Sequence, residues 1–579
     1  MDQSVNVVDF ISKLLDSGKY KDAVSIPNEA KYLKSFKDNC WDLISVVIGK
    51  IENDTIIIKP SLYGACEQLM TTIIDKSAPE EALLEFIEQI ELAKNDAQFG
   101  IILPSLQDLL KKLSLKRGRS LEWCLNSITT YIENIPIPEH HLEGKERLLM
   151  DSDPNIRRIQ KVYSLLPPFY SYFIKELTSE PNSKTKEIIT SFLISLLGKP
   201  LIYIDLDPDS NEKSEARLIC STIIQDICTL EKNVLKFLAL IEIVNRENQK
   251  KKPKEDNNDE KSPYENREKL NMTTLSGLFY GLFSDHFEIP ENAIPQVYST
   301  GYVLHTVMVT IVHLLSFTEY GPLAKAISLC KGVLKRFPNQ LPHELLSSSV
   351  HYEMSKALVN VTIYSTYESI RKNAVVLIGC HVNKFDNKGR CALIKYLMDT
   401  SNHSGMIGYV ITLYKNSINE AFKNPVMDDC FTGPRFLNML KNICYLPHGA
   451  ESDLVELADQ IITSLNFLRY LAIKDTDNAT GIRDHFANIE TDYLDKLRLG
   501  LNMSKAHYQV KLKDIEEGKM LPQENLDVSI NIGGNVLDKI PNENKKEIIF
   551  SALNAFHLIE GLIARLSECI NVNKLQEFK

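Results

Sequence analysis

Apolar residues recur along this chain at steps of three and four, and the spacing persists from the first residues to the last. Val7, Phe10, Ile11 and Leu14 fall on one face of a helix. Residues 31–51 continue with Leu33, Phe36, Trp41, Leu43, Ile44 and Val47. The same pattern marks 62–74, 80–93, 106–113, 121–132, 156–177 and 185–197, then 323–335, 374–378, 393–398 and 548–570. Pro79 followed by Glu80 and Glu81 suits a helix start, where N–H groups lack partners and the dipole is positive. The Pro167-Pro168 pair predicts a break inside 156–177. Only residues 55–58 and 528–532 read as strand-like, and both are too short to build a sheet.

Helix following helix over 579 residues exceeds what one bundle core holds. The expected fold is all-α: an irregular solenoid of stacked helix pairs of the HEAT or armadillo kind, with a loose period of about 40–47 residues. Residues 245–269 contain no aliphatic side chain and cannot offset the entropy of ordering. The predicted organisation is N-terminal repeats over 1–245, a charged disordered loop over 246–269, and C-terminal repeats over 270–579. Lys250-Lys-Lys-Pro-Lys254 in that loop offers a nuclear-import cluster, although a solvated charge run is the plainer reading.

Composition narrows the function. A hydrophobic fraction of 44% and a charged fraction of 25% belong to a folded soluble protein. The net charge of -10 argues against nucleic acid and anionic membranes as partners. Eleven scattered cysteines without a Cys-x-x-Cys pair read as reduced thiols of a cytoplasmic protein. The N-terminus has neither the basic nor the apolar stretch of a secretory signal. The most apolar long segment, 302–317, is interrupted by His305, Thr306, Thr310 and His313, so a buried helix is expected there.

Candidate chemistry is sparse. No phosphate-cradling glycine loop and no Gly-x-Ser-x-Gly elbow occurs. His343-Glu-Leu-Leu-Ser347 has serine where a zinc protease needs its second histidine. His140-His141 reads as a solvent loop, and Cys380-His381 with Cys391 lacks a fourth ligand. No catalytic residue, metal site, cofactor or small-molecule substrate is therefore expected.

The last third is more specific. Thr400-Ser-Asn-His-Ser-Gly405, Phe431-Thr-Gly-Pro434 and Leu446-Pro-His-Gly-Ala-Glu-Ser-Asp-Leu454 punctuate helices. Leu465-Asn-Phe-Leu-Arg-Tyr-Leu-Ala-Ile-Lys-Asp475 and Leu499-Gly-Leu-Asn-Met-Ser-Lys-Ala-His-Tyr508 lie within them. Gly405 should precede a helix over 407–422, and Thr432 should cap one with Pro434 in its first turn. Residues 450–453 should open a helix running to Asp475. On the following helix Ile482, Phe486, Ile489, Tyr493, Leu497, Leu501 and Tyr508 form the expected buried stripe. A second stripe, Leu499, Met503, Ala506 and Val510, lies on its other side. In stacked repeats such a helix is normally sandwiched; the alternative is a face that awaits a partner.

Across residues 399–508 these phrases resemble the glomulin family, which includes a plant aberrant-root-formation relative; upstream the likeness is scattered. Cys430 stands where that family's aromatic precedes Phe-Thr-Gly-Pro, and His448 replaces an acidic residue. The resemblance implies HEAT-like repeats whose C-terminal part grips the RING subunit of cullin-RING ubiquitin ligases and masks the E2-docking surface, without catalysis. On the agreeing segments the candidate contacts are Asn402, His403, Lys415, Phe431, Arg435, Arg469, Lys474, Met503, Lys505 and His507. The alternative is a general helical-repeat adaptor in a signalling or kinetochore complex, with no E2 competition.

Overall fold

The computed structural model describes residues 6–113, 117–179, 182–206, 213–239, 270–295, 297–517 and 542–577. Two compact units, Met1–Val333 and Leu334–Lys579, divide the chain. Both consist of helices in the irregular HEAT or armadillo manner that the periodicity predicts. Among the described residues there is no strand, only an isolated bridge between Leu341 and Phe385. The charged stretch 246–269 lies outside the described residues, as does 528–532. The helices on either side of it, Glu215–Leu230 and Met272–Phe283, pack on each other.

The N-terminal unit includes α1 (Cys40–Ile48), α2 (Pro79–Glu91), α3 (Asp96–Lys112), α4 (Arg117–Glu133), α5 (Pro154–Ser164), α6 (Leu166–Ser179), α7 (Met272–Phe283) and most of α8 (Tyr320–Arg336). Their starts follow local chemistry. The Asn95 side chain accepts from the Gln98 N–H, and Asp153 accepts from Asn155 and Ile156. Pro79 and Pro154 sit in first turns. The proline pair divides 156–177 as expected, with α5 ending before Leu165 and α6 beginning at Leu166. The single helix expected over 31–51 is two, because Asn39 leaves helical geometry and bonds its amide to the Ser35 carbonyl. Thr55–Ile58 is a helical turn and not strand-like, since the Thr55 hydroxyl accepts from the Glu52 N–H and closes the backbone locally.

Contacts distant in sequence tie these helices together. Arg158 on α5 holds the buried Asp96 of α3 through Nε at 3.0 Å to each oxygen and Nη2 at 2.9 Å. Tyr131 of α4 donates to the same carboxylate at 2.7 Å. His141 stacks on Tyr320, centroids 3.4 Å apart, and does not face solvent as expected; its flat ring finds an aromatic partner on α8. The segment after residue 196 is clasped by backbone and charge. A Cβ on Gly277 of α7 would meet the Leu197 carbonyl oxygen at 2.2 Å, and one on Gly321 of α8 the Tyr203 carbonyl oxygen at 2.1 Å. Lys325 of α8, only 4% exposed, donates to the Ile202 carbonyl at 2.9 Å and to that of Ile204. Burial pulls its ammonium pKa down to about 8.

The C-terminal unit contains α9 (Val350–Tyr364), α10 (Glu368–Asn383), α11 (Asn387–Thr400), α12 (Ser404–Ala421), α13 (Gly433–Ile443), α14 (Ala458–Lys474), α15 (Asp495–Glu516) and α16 (Asn542–Glu577). Within α16, Lys546–Val572 is long and apolar enough by composition to cross a membrane. Its Phe556, Ile559 and Leu566 are buried where α16 packs on α14 and α15. The cysteines are all free, and burial pushes Cys40 up to about 11 and Cys66 to about 12, which leaves them unreactive.

His381 is a core residue on the α9–α10 hairpin. Ser355 donates its one hydroxyl proton to the His351 carbonyl at 2.9 Å, so His381 Nδ1–H must donate to Ser355 Oγ at 3.2 Å. His381 Nε2 is then the acceptor facing His351 Nδ1 at 3.2 Å. A second proton on His381, at Nε2, would point at the donor His351 Nδ1–H, and burial, aided by His351, pulls its pKa down to about 3. The unfolded chain takes up that proton near pH 6.5, so the stabilisation is complete above pH 6.5 and declines as pH falls toward 3, by about 1.4 kcal/mol per pH unit. Urea midpoints at pH 7.5 and pH 5 should therefore fall further for the wild type than for His381→Asn; equal falls would remove His381 from the account.

Candidate partner-binding surface

Helix α14 packs between α12 and α16, and α15 pairs with α16. Helices α12 and α14 run in the same direction. The Gln460 N–H donates to Ser404 Oγ at 3.0 Å near their starts, and Tyr470 donates to Asn419 Oδ1 at 2.8 Å near their ends. Helices α15 and α16 are antiparallel: Arg498 reaches Ser567 at 2.9 Å, Lys505 pairs with Glu560, and Tyr508 meets Phe556 edge-on at 5.5 Å.

The punctuating phrases set these helices in place. Gly433 and Gly449 adopt φ of +57° and +58°, a region that costs other residues steric strain. Ser452 accepts from the His448 N–H and donates to the Gly449 carbonyl, closing a 3-10 turn, Gly449–Glu451. That turn lies against α15 at Gly500, where a Cβ would come within 2.6 Å of the Ala450 carbonyl oxygen. Asp453 then caps Val455 and Glu456, and α14 proper starts only at Ala458, later than the expected 450–453. Thr432 stands at the head of α13, but its side chain makes no capping bond. His403 takes the capping role at α12, its Nδ1 accepting from the Met406 N–H at 3.3 Å. After α14 the buried Asp475 carboxylate gathers the chain, accepting from the Ala479 N–H at 2.7 Å, the Thr480 N–H at 3.0 Å and the Thr480 hydroxyl at 2.5 Å.

Between that loop and α15 the helix is irregular: a 3-10 turn at Ile482–His485, an α turn at Phe486–Ile489 and a π turn at Glu490–Leu494. The expected buried stripe holds from Ile482 to Leu501, whereas Tyr508 is half-buried. The second stripe is not sandwiched. Leu499, Met503 and Val510 are 56%, 50% and 58% exposed, and Ala506 is exposed between them. The reason is geometric: α16 and the Gly449–Glu451 turn contact α15 elsewhere on its circumference.

The ten candidate residues fall on several elements. Met503, Lys505 and His507 share α15. Met503 and His507 are exposed, while Lys505 is mostly covered by its pairing with Glu560. Burial lowers the His507 pKa, with Lys511 adding to the effect. Arg469 and Lys474 lie on α14, the first half-buried with its Nε enclosed and unpaired, the second exposed. Lys415 is half-buried on α12; Asn402 and His403, just before it, are exposed, as is Arg435 on α13. Phe431 must be corrected: it is 0% exposed and packs 5.8 Å from Tyr414, because the turn before Gly433 aims the ring inward. Tyr445, 58% exposed ahead of the Leu-Pro-His-Gly phrase, was not expected as a surface residue. A tyrosine directly before a turn signal was the available hint. Among the described residues no group of three His, Cys, Asp or Glu side chains is placed to hold a metal ion.

A family model described as "Uncharacterised protein family, YAP/Alf4/glomulin" matches residues 38–543. Human glomulin is 28% identical over 572 residues, covering 97% of this chain and 92% of that protein. Mouse glomulin is 27% identical over the same length, with the same coverage. The likeness thus extends well upstream of the C-terminal phrases, and the chain belongs to the YAP/Alf4/glomulin family.

Proposed function

We propose that this protein is a non-catalytic inhibitor of cullin-RING ubiquitin ligases, binding the RING subunit through its C-terminal helices and masking the surface where E2 docks. The observation that carries the reading is the outward apolar stripe of Leu499, Met503, Ala506 and Val510 on α15. It lies on one of the segments that resemble glomulin, in a chain of that family. An E2-docking face on a RING domain is itself apolar with polar edges, and exposed aliphatic and Met side chains beside His507 suit it. Eleven free thiols favour a reducing compartment, so the cytoplasm is the proposed location, with the nucleus also open to a protein of this role.

The test is to titrate the full chain into a reconstituted cullin–RING complex and follow E2-dependent ubiquitin transfer. Stoichiometric inhibition is expected. The triple variant Leu499→Glu, Met503→Glu and Val510→Glu should bind about 100-fold more weakly, as loss of a central apolar cluster does. Binding that leaves E2 transfer untouched would replace inhibition with the adaptor reading, and absence of binding would remove the RING subunit as partner.

A further inference from the structure

The N-terminal unit carries an exposed aromatic ridge that the proposed function does not use. The chain has two tryptophans, and both are at the surface: Trp41 is 56% and Trp123 41% exposed. Helices α1, α2 and α4 that bear or flank them are neighbours, α2 in the middle. Each turns a full apolar face inward, with Leu43, Phe86 and Ile128 completely buried. The outward strips of three helices laid side by side over one core face the same way. On α2 that strip presents Leu84, 57% exposed, and Glu88 one turn on. Two contacts set the register. Asp42, next to Trp41, lies close enough to Glu85, next to Leu84, to perturb it. Ser127, one turn beyond Trp123, donates to Glu91 at the end of α2 at 2.8 Å.

Charge decides what such a ridge would accept. Asp42, Glu81, Glu85 and Glu88 crowd its middle, and none is paired with a cation among the described residues. Among the described side chains, Arg119, one turn ahead of Trp123, and Lys37, four residues before Trp41 across the break at Asn39, stand at its ends. Burial raises the Glu85 pKa, the Gln89 amide opposes this, and the charges of Glu88 and Asp42 raise it further. Like charges held together without counter-charge are destabilising to the free protein and relieved by a cationic partner. Exposed indoles add apolar area and faces for lysine or arginine.

We propose that the Trp41–Leu84–Trp123 ridge docks a cationic amphipathic helix of a partner protein. The helix lays its apolar residues on the two indoles and its basic residues against Asp42, Glu81, Glu85 and Glu88. The acidic rim turns away nucleic acid and anionic lipid by the same field. This surface belongs to Met1–Val333 and does not depend on the RING-binding reading.

Tryptophan emission reports this surface alone, since no other tryptophan exists. The probe is a fluorescein-labelled amphipathic leucine–lysine helix, with a leucine–glutamate peptide of identical pattern as its counterpart. Added to the full chain, the leucine–lysine peptide should shift tryptophan emission to the blue, and the leucine–glutamate peptide should not. Anisotropy should show affinity weakened about tenfold or more in Trp41→Ala/Trp123→Ala, and likewise in Glu81→Lys/Glu88→Lys. The pair Glu353→Lys/Glu456→Lys, exposed acids of the other unit, should change affinity little. Binding with an unshifted wild-type spectrum overturns the proposal without recourse to any variant. Equal weakening in the distant charge pair also overturns it, as bulk attraction to an acidic protein.

Discussion

Asp475→Ala is expected to destabilise the C-terminal unit by about 3 kcal/mol, because it strands buried donors that only this carboxylate serves. Thr480 is 2% exposed and directs both its N–H and its hydroxyl to Asp475 Oδ2, while Ala479 donates to Oδ1. Alanine offers these donors no acceptor. Asp475→Asn keeps one acceptor oxygen and loses the charge, so about half the effect is expected. Urea unfolding measures the loss, and hydrogen exchange at the Thr480 amide locates it. Unchanged exchange at Thr480 in the alanine variant would show that the carboxylate does not hold the loop. If it does, the inhibition proposed above should weaken as well, since the loop leads into the helix that carries Met503.

A comparable loss is expected in the N-terminal unit from Gly277→Ala, which adds a single methyl group. That methyl would sit 2.2 Å from the Leu197 carbonyl oxygen, and a backbone atom cannot rotate aside as a side chain can. Overpacking of this kind costs about 3 kcal/mol or forces the helices apart. Gly64, in the helix Pro60–Lys76, supplies the opposite sign. A Cβ there meets nothing within 4 Å, so Gly64→Ala should stabilise by about 0.5–1 kcal/mol through helix propensity. Calorimetric scans of the two variants test both statements. Similar shifts in the two would mean that the close approach at Leu197 is not what requires glycine.

Much of the fold was legible because helix formation is a local matter. The three–four spacing places Val7 and Ile11, or Ile482, Phe486 and Leu497, on buried faces irrespective of what covers them. Turn residues were legible for the same reason, as Gly433 and Gly449 at positive φ illustrate. Partnerships were not legible. Asp96 and Arg158 are 62 positions apart, and nothing in either neighbourhood announces the other. Lys325 reads as a surface lysine on a helix, yet carbonyls far earlier in the chain enclose it. The candidate surface failed where burial depends on neighbours. Phe431 and Leu499 are both apolar residues in agreeing phrases, but only the second faces out. Periodicity gives the angle between two side chains on one helix; it does not say which angle the rest of the protein covers.

The π turn at Glu490–Leu494 bears on that angle. Such a turn amounts to one residue inserted into an α-helix, and each residue advances a helix by about 100°. Deleting one residue within it would let a regular helix run from Phe486 into α15 and swing everything beyond it by about 100° about the axis. Leu499, Met503 and Val510 would keep their spacing and lose their outward aim. The direction in which the stripe points is therefore encoded upstream of the stripe, in the length of the chain and not in the residues that would touch a partner.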